Sequence, residues 1–322
     1  MRIAVVGLGG VGGFLGGKIG YVHQARDDHE LYFVARGAHL EAIRRSGLRL
    51  VTGGRILEVR PKAAAERPAG WPVMDLVLLC VKGYDLETAV RTIAPCVGQE
   101  TVLLPLQNGI EKRQRVEKIS ERGRVADGCI YVSAHIREPG TVEHTGGPGR
   151  VVLGGDPGDR PLLESVCALL QTASVPTEMA DSVEVEVWRK YLFICALAGA
   201  TALYKEPLGP ILQDERKRHV LEGLMREVEI LARRKGIALN EEIVQESLRI
   251  CSTFPPGTKS SLLRDLEEGR PNELEWLLGT LLDQGERCGL SLPLARRVYR
   301  GIHKAWGMAP KRSQPSNGSI GD

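Results

Sequence analysis

The chain has 322 residues, more than a single hydrophobic core usually supports, so two domains are expected. Hydrophobic residues make up 43% and charged residues 26%, the balance of a folded soluble protein, and a formal charge of +3 excludes the strongly basic surface of a nucleic-acid binder. The densest basic stretch, Arg216-Lys217-Arg218-His219 with Arg233-Arg234-Lys235, falls in expected helix and is read as a solvated face.

In chain order, Ile3-Ala4-Val5-Val6 is a short apolar run ended by glycines, as for a strand buried on both faces. A glycine-rich helix follows over 11–25, a second strand over Leu31–Ala35, and a helix over 38–46 that stops at Gly47. Residues 48–62 alternate around Gly53-Gly54 and read as a hairpin. Asp75–Val81 is another buried strand, 85–94 a helix and Thr101–Pro105 a strand. Further β-type runs at 128–135 and 150–154 flank a turn-rich segment, Pro139-Gly140 and Gly146–Gly149. The alternation implies a mostly parallel, doubly wound sheet. Past Asp181 the pattern is helical only: 183–203, 214–236, 240–252, 259–268, 272–288 and 293–305. The expected organisation is thus an α/β domain over 1–180, an all-helical domain over 181–308, and a disordered tail over 309–322, rich in Ser, Pro, Gly and Asn.

Seven cysteines are scattered singly with no CxxC pair, which argues against a disulfide framework or a zinc site and fits a reducing compartment. The apolar stretch after Met1-Arg2 is broken by glycines and Lys18, unlike an export signal. The longest charge-free apolar run, Tyr191 to Tyr204, has 14 residues, short of the ~20 a membrane helix needs. A cytoplasmic protein with no membrane, nucleic-acid or metal partner is expected.

Gly7-Leu8-Gly9-Gly10-Val11-Gly12 matches G-x-G-x-x-G directly after the first strand and at the opening of a helix. Alone the pattern is weak; in a βαβ context it marks a Rossmann-type dinucleotide turn. The first glycine permits the turn, the second admits a pyrophosphate, and the third lets helix and strand pack closely. NAD enzymes place a carboxylate at the end of the second strand for the ribose 2′-hydroxyl. Here the strand ends Val34-Ala35-Arg36-Gly37, and an arginine is suited to a 2′-phosphate, so NADP is expected as cofactor. The plainer reading of Arg36 is a solvated loop residue. Lys82, after one strand, and Asn108, after another, stand where ligands of open α/β sheets bind, though both also fit ordinary turns.

With these residues in place the chain resembles the 2-dehydropantoate 2-reductase (ketopantoate reductase) family. The resemblance rests on Gly7–Gly12, Ala35-Arg36-Gly37, Val81-Lys82, Gln107-Asn108-Gly109 and His144-Thr145-Gly146, then Trp188-Arg189-Lys190 and Ser260-Ser261-Leu262-Leu263-Arg264-Asp265 with Arg270-Pro271-Asn272-Glu273. It spans nearly the whole chain, and the order of segments is more specific than any one of them. The family implies hydride transfer from NADPH to the 2-oxo group of ketopantoate, at an active site drawing on both domains, and makes a homodimer plausible by analogy. It implies a general-acid lysine at Lys190, a glutamate that places substrate and lysine at Glu273, a substrate-carboxylate serine at Ser261, and substrate contact at Asn108. Plainer readings stand beside two of these: Lys190 as the last charge before a buried helix, and Glu273 as a carboxylate favoured near a helix start.

The resemblance breaks one and two turns after Lys190. The family pattern has two asparagines there, on the lysine's helix face, where they line the substrate pocket; this chain has Ile194 and Ala198. An apolar pocket face favours a 2-oxo acid with a bulkier or more apolar side chain, which makes a D-2-hydroxyacid dehydrogenase the second reading. A non-catalytic NADP-binding redox sensor is the third.

Overall fold

The structure is a computed structural model that describes residues 1–309 apart from Ala25, Asp27 and Asp28. All but the first residue of the tail expected over 309–322 therefore lies outside the described residues. The chain divides into two compact units, Met1–Tyr191 with Ile237–Leu239, and Leu192–Gly236 with the residues from Asn240 onward.

The first unit is a Rossmann-like α/β assembly. Its elements in order are β1 (Arg2–Val6), α1 (Gly10–His23), β2 (Glu30–Val34), α2 (Gly37–Ser46), β3 (Leu48–Thr52), β4 (Arg55–Val59), β5 (Ala63–Ala65), β6 (Met74–Leu79), α3 (Leu86–Ile93), β7 (Val97–Pro105), α4 (Lys112–Ile119), β8 (Arg124–Val125), β9 (Asp127–Glu138), β10 (Thr141–Gly154), α5 (Arg160–Thr172) and β11 (Thr177–Met179). The main sheet has the order β5-β2-β1-β6-β7-β8, every neighbouring pair parallel. Taken in chain order those strands run 3-2-1-4-5-6, so the order reverses between β1 and β6, where a crevice opens at their carboxyl ends. Ile3, Val5, Leu76, Leu78 and Leu104 are all fully buried, as strands covered on both faces require.

A second sheet departs from the single sheet expected. The β3–β4 hairpin does form, but it joins β10, β11 and β9 in the order β11-β10-β3-β4, with β9 antiparallel to β10. Its physical cause lies in α1. A Cβ on Gly16 would meet the Phe33 ring of the main sheet, while one on Gly17 would sit 2.6 Å from Leu50 of the second. Gly13 and Gly20 likewise lie against Val142 and Val59. The glycines that weaken α1 as an isolated helix let it lie between two sheets.

Past β11 the described residues form helices and no strand: α6 (Val183–Tyr204), α7 (Leu208–Gln213), α8 (Glu215–Arg234), α9 (Ile243–Thr253), α10 (Ser261–Glu267), α11 (Thr280–Arg287) and α12 (Pro293–Ala305). The division between the units falls inside α6. In α8 the buried Leu221, Leu224, Met225, Val228 and Leu231 recur at three- and four-residue spacing, the stripe of a helix with one apolar face. Its basic residues Arg216, Arg218, Arg233 and Arg234 are exposed. Glu227 lies on the buried face and accepts the Leu294 and Ala295 backbone N–H groups at 2.8 and 2.7 Å, capping α12 from another helix. The helix expected over 272–288 is interrupted by a π-helical turn, Glu275–Gly279, ahead of α11. No described helix is long and apolar enough to cross a membrane.

Candidate active site

The dinucleotide turn stands at the switch point of the main sheet. Gly7 has φ +91°, a conformation that disfavours any side chain, and its N–H donates to the Val34 carbonyl at 2.9 Å. A Cβ there would lie 2.7 Å from the Val81 nitrogen, across the crevice between β1 and β6. A Cβ on Gly12 would fall on the Gly7 carbonyl oxygen, and one on Gly10 on the Ala134 carbonyl oxygen. Gly9 is different, because nothing lies within 4 Å of where its Cβ would be. The loop is thus packed on every side but one. The N-terminus of α1 has no capping side chain and no acidic residue in its first turn, which leaves its N–H groups suited to phosphate oxygens. Those features fit a dinucleotide pyrophosphate over Gly9. The Leu8 side chain is buried and that of Val11 packs on the core, so any part these two take in cofactor binding falls to their backbone.

Arg36 caps no helix with its side chain; it reaches from the end of β2 to Asp85, with Nη2 2.9 Å from Oδ2. Asp85 follows Lys82 in a short 3₁₀ turn after β6, and its N–H donates to the Lys82 carbonyl. The structure therefore brings Arg36 and the Lys82 segment to the two sides of the glycine turn, and adds a carboxylate that sequence reasoning missed.

A second centre forms around Lys190. The residue is buried at 9% exposure, and its ammonium donates to Asn108 Oδ1 at 2.8 Å and to the Ile130 carbonyl at 2.7 Å. Tyr131 presents its ring 5.7 Å away. Burial pushes the Tyr131 hydroxyl well up and raises the Cys129 thiol, while Lys190 draws the thiol back towards its usual range. Both therefore stay protonated beside the cation. Gln107 is buried too: its amide donates to the Leu79 carbonyl at 2.9 Å, and its Oε1 has no hydrogen-bond partner among the described residues. A second buried lysine, Lys112, pairs with Asp127 at 2.8 Å. Nothing local in the sequence links these two; the one signal was Asp127 as a charge at the head of the apolar run Cys129–Val132.

In the helical unit, Glu273 is buried at 5% exposure just before the π-helical turn, and its carbonyl accepts the Leu277 N–H. Ser261 is exposed, whereas its neighbour Ser260 is buried, caps α10 through the Leu263 N–H at 3.1 Å, and bonds Thr201 at 2.7 Å. Asp265 holds Arg270 through Nε and Nη2 at 3.1 and 2.9 Å. Asn272 accepts the Leu274 N–H. The motif from Ser260 to Glu273 is therefore mostly a local scaffold for two residues, Ser261 and Glu273. Ile194 is half-buried and Ala198 buried on the same continuous helix as Lys190. His144 is a fold element: its ring bridges Thr52 and the Gly146 carbonyl and packs on Phe14 at 4.8 Å.

Residues 3–158 match the sequence model of the ketopantoate reductase PanE/ApbA family, and residues 182–305 match the C-terminal model of the same family. Over 305 residues the chain is 30% identical to an uncharacterized oxidoreductase, YkpB, of Bacillus subtilis, covering 94% of this chain and 98% of that one. It is 28% identical to a 2-dehydropantoate 2-reductase of Mesorhizobium japonicum, over 88% of this chain and 91% of the other. The crystal structure of a PanE/ApbA family ketopantoate reductase from Ralstonia eutropha superposes with a TM-score of 0.86 at 29% identity, covering 95% and 99% of the two chains. Fold, dinucleotide turn and these matches define an NAD(P)-dependent oxidoreductase of the 2-oxo and 2-hydroxy acid class. The chain belongs to the ketopantoate reductase PanE/ApbA family.

Proposed function

We propose that this chain reduces a small 2-oxo acid to the 2-hydroxy acid with NADPH, and that ketopantoate is the first substrate to test. The observation that carries the reading is the buried Lys190 ammonium, oriented by Asn108 and the Ile130 carbonyl in the unit that bears the dinucleotide turn. The relatives named 2-dehydropantoate 2-reductase support the substrate, and Arg36 in place of a carboxylate after β2 supports NADPH.

A bound nicotinamide supplies the hydride that reaches C2 of the acid. Charge then grows on O2, and Lys190 passes a proton from Nζ to that oxygen, recovering one from solvent. Until then its positive charge stabilises the developing alkoxide. In the helical unit Ser261, an exposed residue, is the candidate donor to the substrate carboxylate, and Glu273 the candidate for placing the substrate. Ile194 and Ala198 favour a second reading of the substrate alone: an apolar face gives up two amide contacts and suits a bulkier acid.

The experiment is NADPH oxidation with ketopantoate, 2-oxoisocaproate and phenylglyoxylate, with NADH in parallel and Lys190→Ala as control. Turnover of ketopantoate above the others that collapses in the variant supports the main reading. Preference for the apolar acids selects the second, and tight NADPH binding with no turnover on any acid turns the assignment to a redox sensor.

A further inference from the structure

Two acceptors that place the Lys190 ammonium, Asn108 Oδ1 and the Ile130 carbonyl, sit on separate segments. Asn108 lies in the turn after β7, and Ile130 lies in β9. Beneath both runs the buried pair Lys112–Asp127. Lys112 opens α4 and is fully buried; its Nζ meets Asp127 Oδ1 at 2.8 Å, where the side chains are 1% and 8% exposed. The same Nζ donates to the Gly109 carbonyl at 3.3 Å, so it grips the turn one residue past Asn108. Gly109 has φ +109°, a conformation that favours glycine. At the other end, Asp127 opens β9 and accepts the Gly128 N–H at 2.8 Å, which fixes the carboxylate to the strand carrying Ile130.

We propose that Lys112 and Asp127 are positioning residues: their ion pair locks the Asn108 turn to β9 so that Asn108 Oδ1 and the Ile130 carbonyl converge on Lys190. The inference rests on the reading of Lys190 as general acid. Its physical ground is that a charged pair at this depth is a poor way to gain stability. Two charges lose their hydration on burial, and an apolar pair of similar volume commonly supports folding as well or better. What the ion pair adds is direction, since hydrogen-bonded charges fix a distance and an angle that packed methyl groups leave loose. A loss of that register reaches the acid directly, because displacement by about 1 Å can cost ~10²-fold in rate.

The test uses Lys112→Met, Asp127→Leu and the two combined in the full chain. Each single variant strands one buried charge and lowers the melting temperature, and the double variant recovers it. NADPH affinity stays at the wild-type value in the double variant, while kcat on the best acid of the panel stays at least ~10-fold down. The alkaline limb of the kcat profile also moves to lower pH, because an ammonium that loses its acceptors gives up its proton more readily. Cys129 and Tyr131 on β9, Arg150 on β10 and Glu186 on α6, further charged or titratable groups coupled to this centre, are unchanged in these variants. Competitive acetylation of Lys190 followed by mass spectrometry reads the same shift without turnover. A double variant with wild-type kcat, pH limb and Lys190 acetylation profile overturns the proposal and leaves the pair a plain fold element. If the double variant does not fold, Asp127→Asn keeps an oxygen in place and is expected to give an intermediate kcat with the same displaced limb; wild-type values there overturn the proposal equally. Lys190→Ala separates the two ideas: retained turnover in it removes the general-acid reading, whereas collapse beside an unaffected double variant removes only the clamp.

Discussion

The two centres of the nucleotide-binding unit are built by opposite means. Around Gly7–Gly12 the chain uses backbone: a positive φ at Gly7, carbonyl oxygens where Cβ atoms of Gly10 and Gly12 would fall, and uncapped N–H groups of α1. Around Lys190 it uses a buried side-chain cation held by a side-chain amide and a strand carbonyl from segments far apart in sequence, Asn108 and Ile130 lying 82 and 60 residues away. A backbone site tolerates no added atoms, while a side-chain site tolerates changes of shape but not of charge or register. The difference predicts which substitutions hurt and in which observable.

The largest effect is expected at the side-chain centre. Lys190→Ala removes proton donor and cation together and lowers kcat by ~10²–10⁴. Dinucleotide affinity, measured by fluorescence titration with NADPH, stays near wild type because the glycine turn is untouched. A variant that instead lost NADPH binding with kcat intact would merge the two centres and break the comparison.

Arg36 comes next. Arg36→Ala removes charge-assisted bonds to a 2′-phosphate and raises the KM for NADPH by about 10–100-fold, leaving that for NADH unchanged. Equal losses with both cofactors would show that Arg36 acts on the shared part of the dinucleotide and would remove the basis for NADPH.

What the sequence disclosed follows the same division. The glycine turn was legible because its chemistry is local: one hexapeptide, one strand and one helix. The parallel strands were legible as continuous apolar runs such as Leu76–Leu79. The second sheet was not, since what Gly13, Gly17 and Gly20 of α1 make room for is visible only once Val142, Leu50 and Val59 are packed against them. Nor were Asp85, Gln107 and the Lys112–Asp127 pair, whose meaning depends on partners that only the fold supplies. In the helical unit the segment order pointed to Glu273 and Ser261, but the bonds of Ser260 to Thr201 and of Asp265 to Arg270 exist only in the folded chain.

A matched pair of glycine variants sharpens the backbone half. Gly10→Ala drives a methyl group into the Ala134 carbonyl and costs about 1–3 kcal/mol of stability in chemical denaturation, as overpacking does. Gly9→Ala meets open space, so its stability stays within about 0.5 kcal/mol of wild type. Its effect falls on NADPH affinity instead, because the methyl group occupies the side reserved for the pyrophosphate. Stability loss in Gly9→Ala, or none in Gly10→Ala, would mean that the turn packs differently from the arrangement described here.

The smallest effect tests Asp85, the carboxylate paired with Arg36. Asp85 neutralises Arg36 at 2.9 Å, although the arginine is 74% exposed, so the pair is a weak surface one. A phosphate that binds Arg36 has to compete with it, and removing the competitor is worth up to ~1 kcal/mol, or about fivefold in affinity. Asp85→Asn is therefore expected to tighten binding of adenosine 2′,5′-bisphosphate by roughly two- to fivefold while leaving 5′-AMP unchanged, as read by calorimetry. The gain shrinks in high salt, because both the pair and the phosphate contact are exposed to screening. Unchanged affinity for both nucleotides would place Asp85 outside the reach of the ribose and leave Arg36 to act alone. Weaker binding of both would instead make the carboxylate a partner of the adenosine, which is the role a carboxylate plays in an NAD-preferring site.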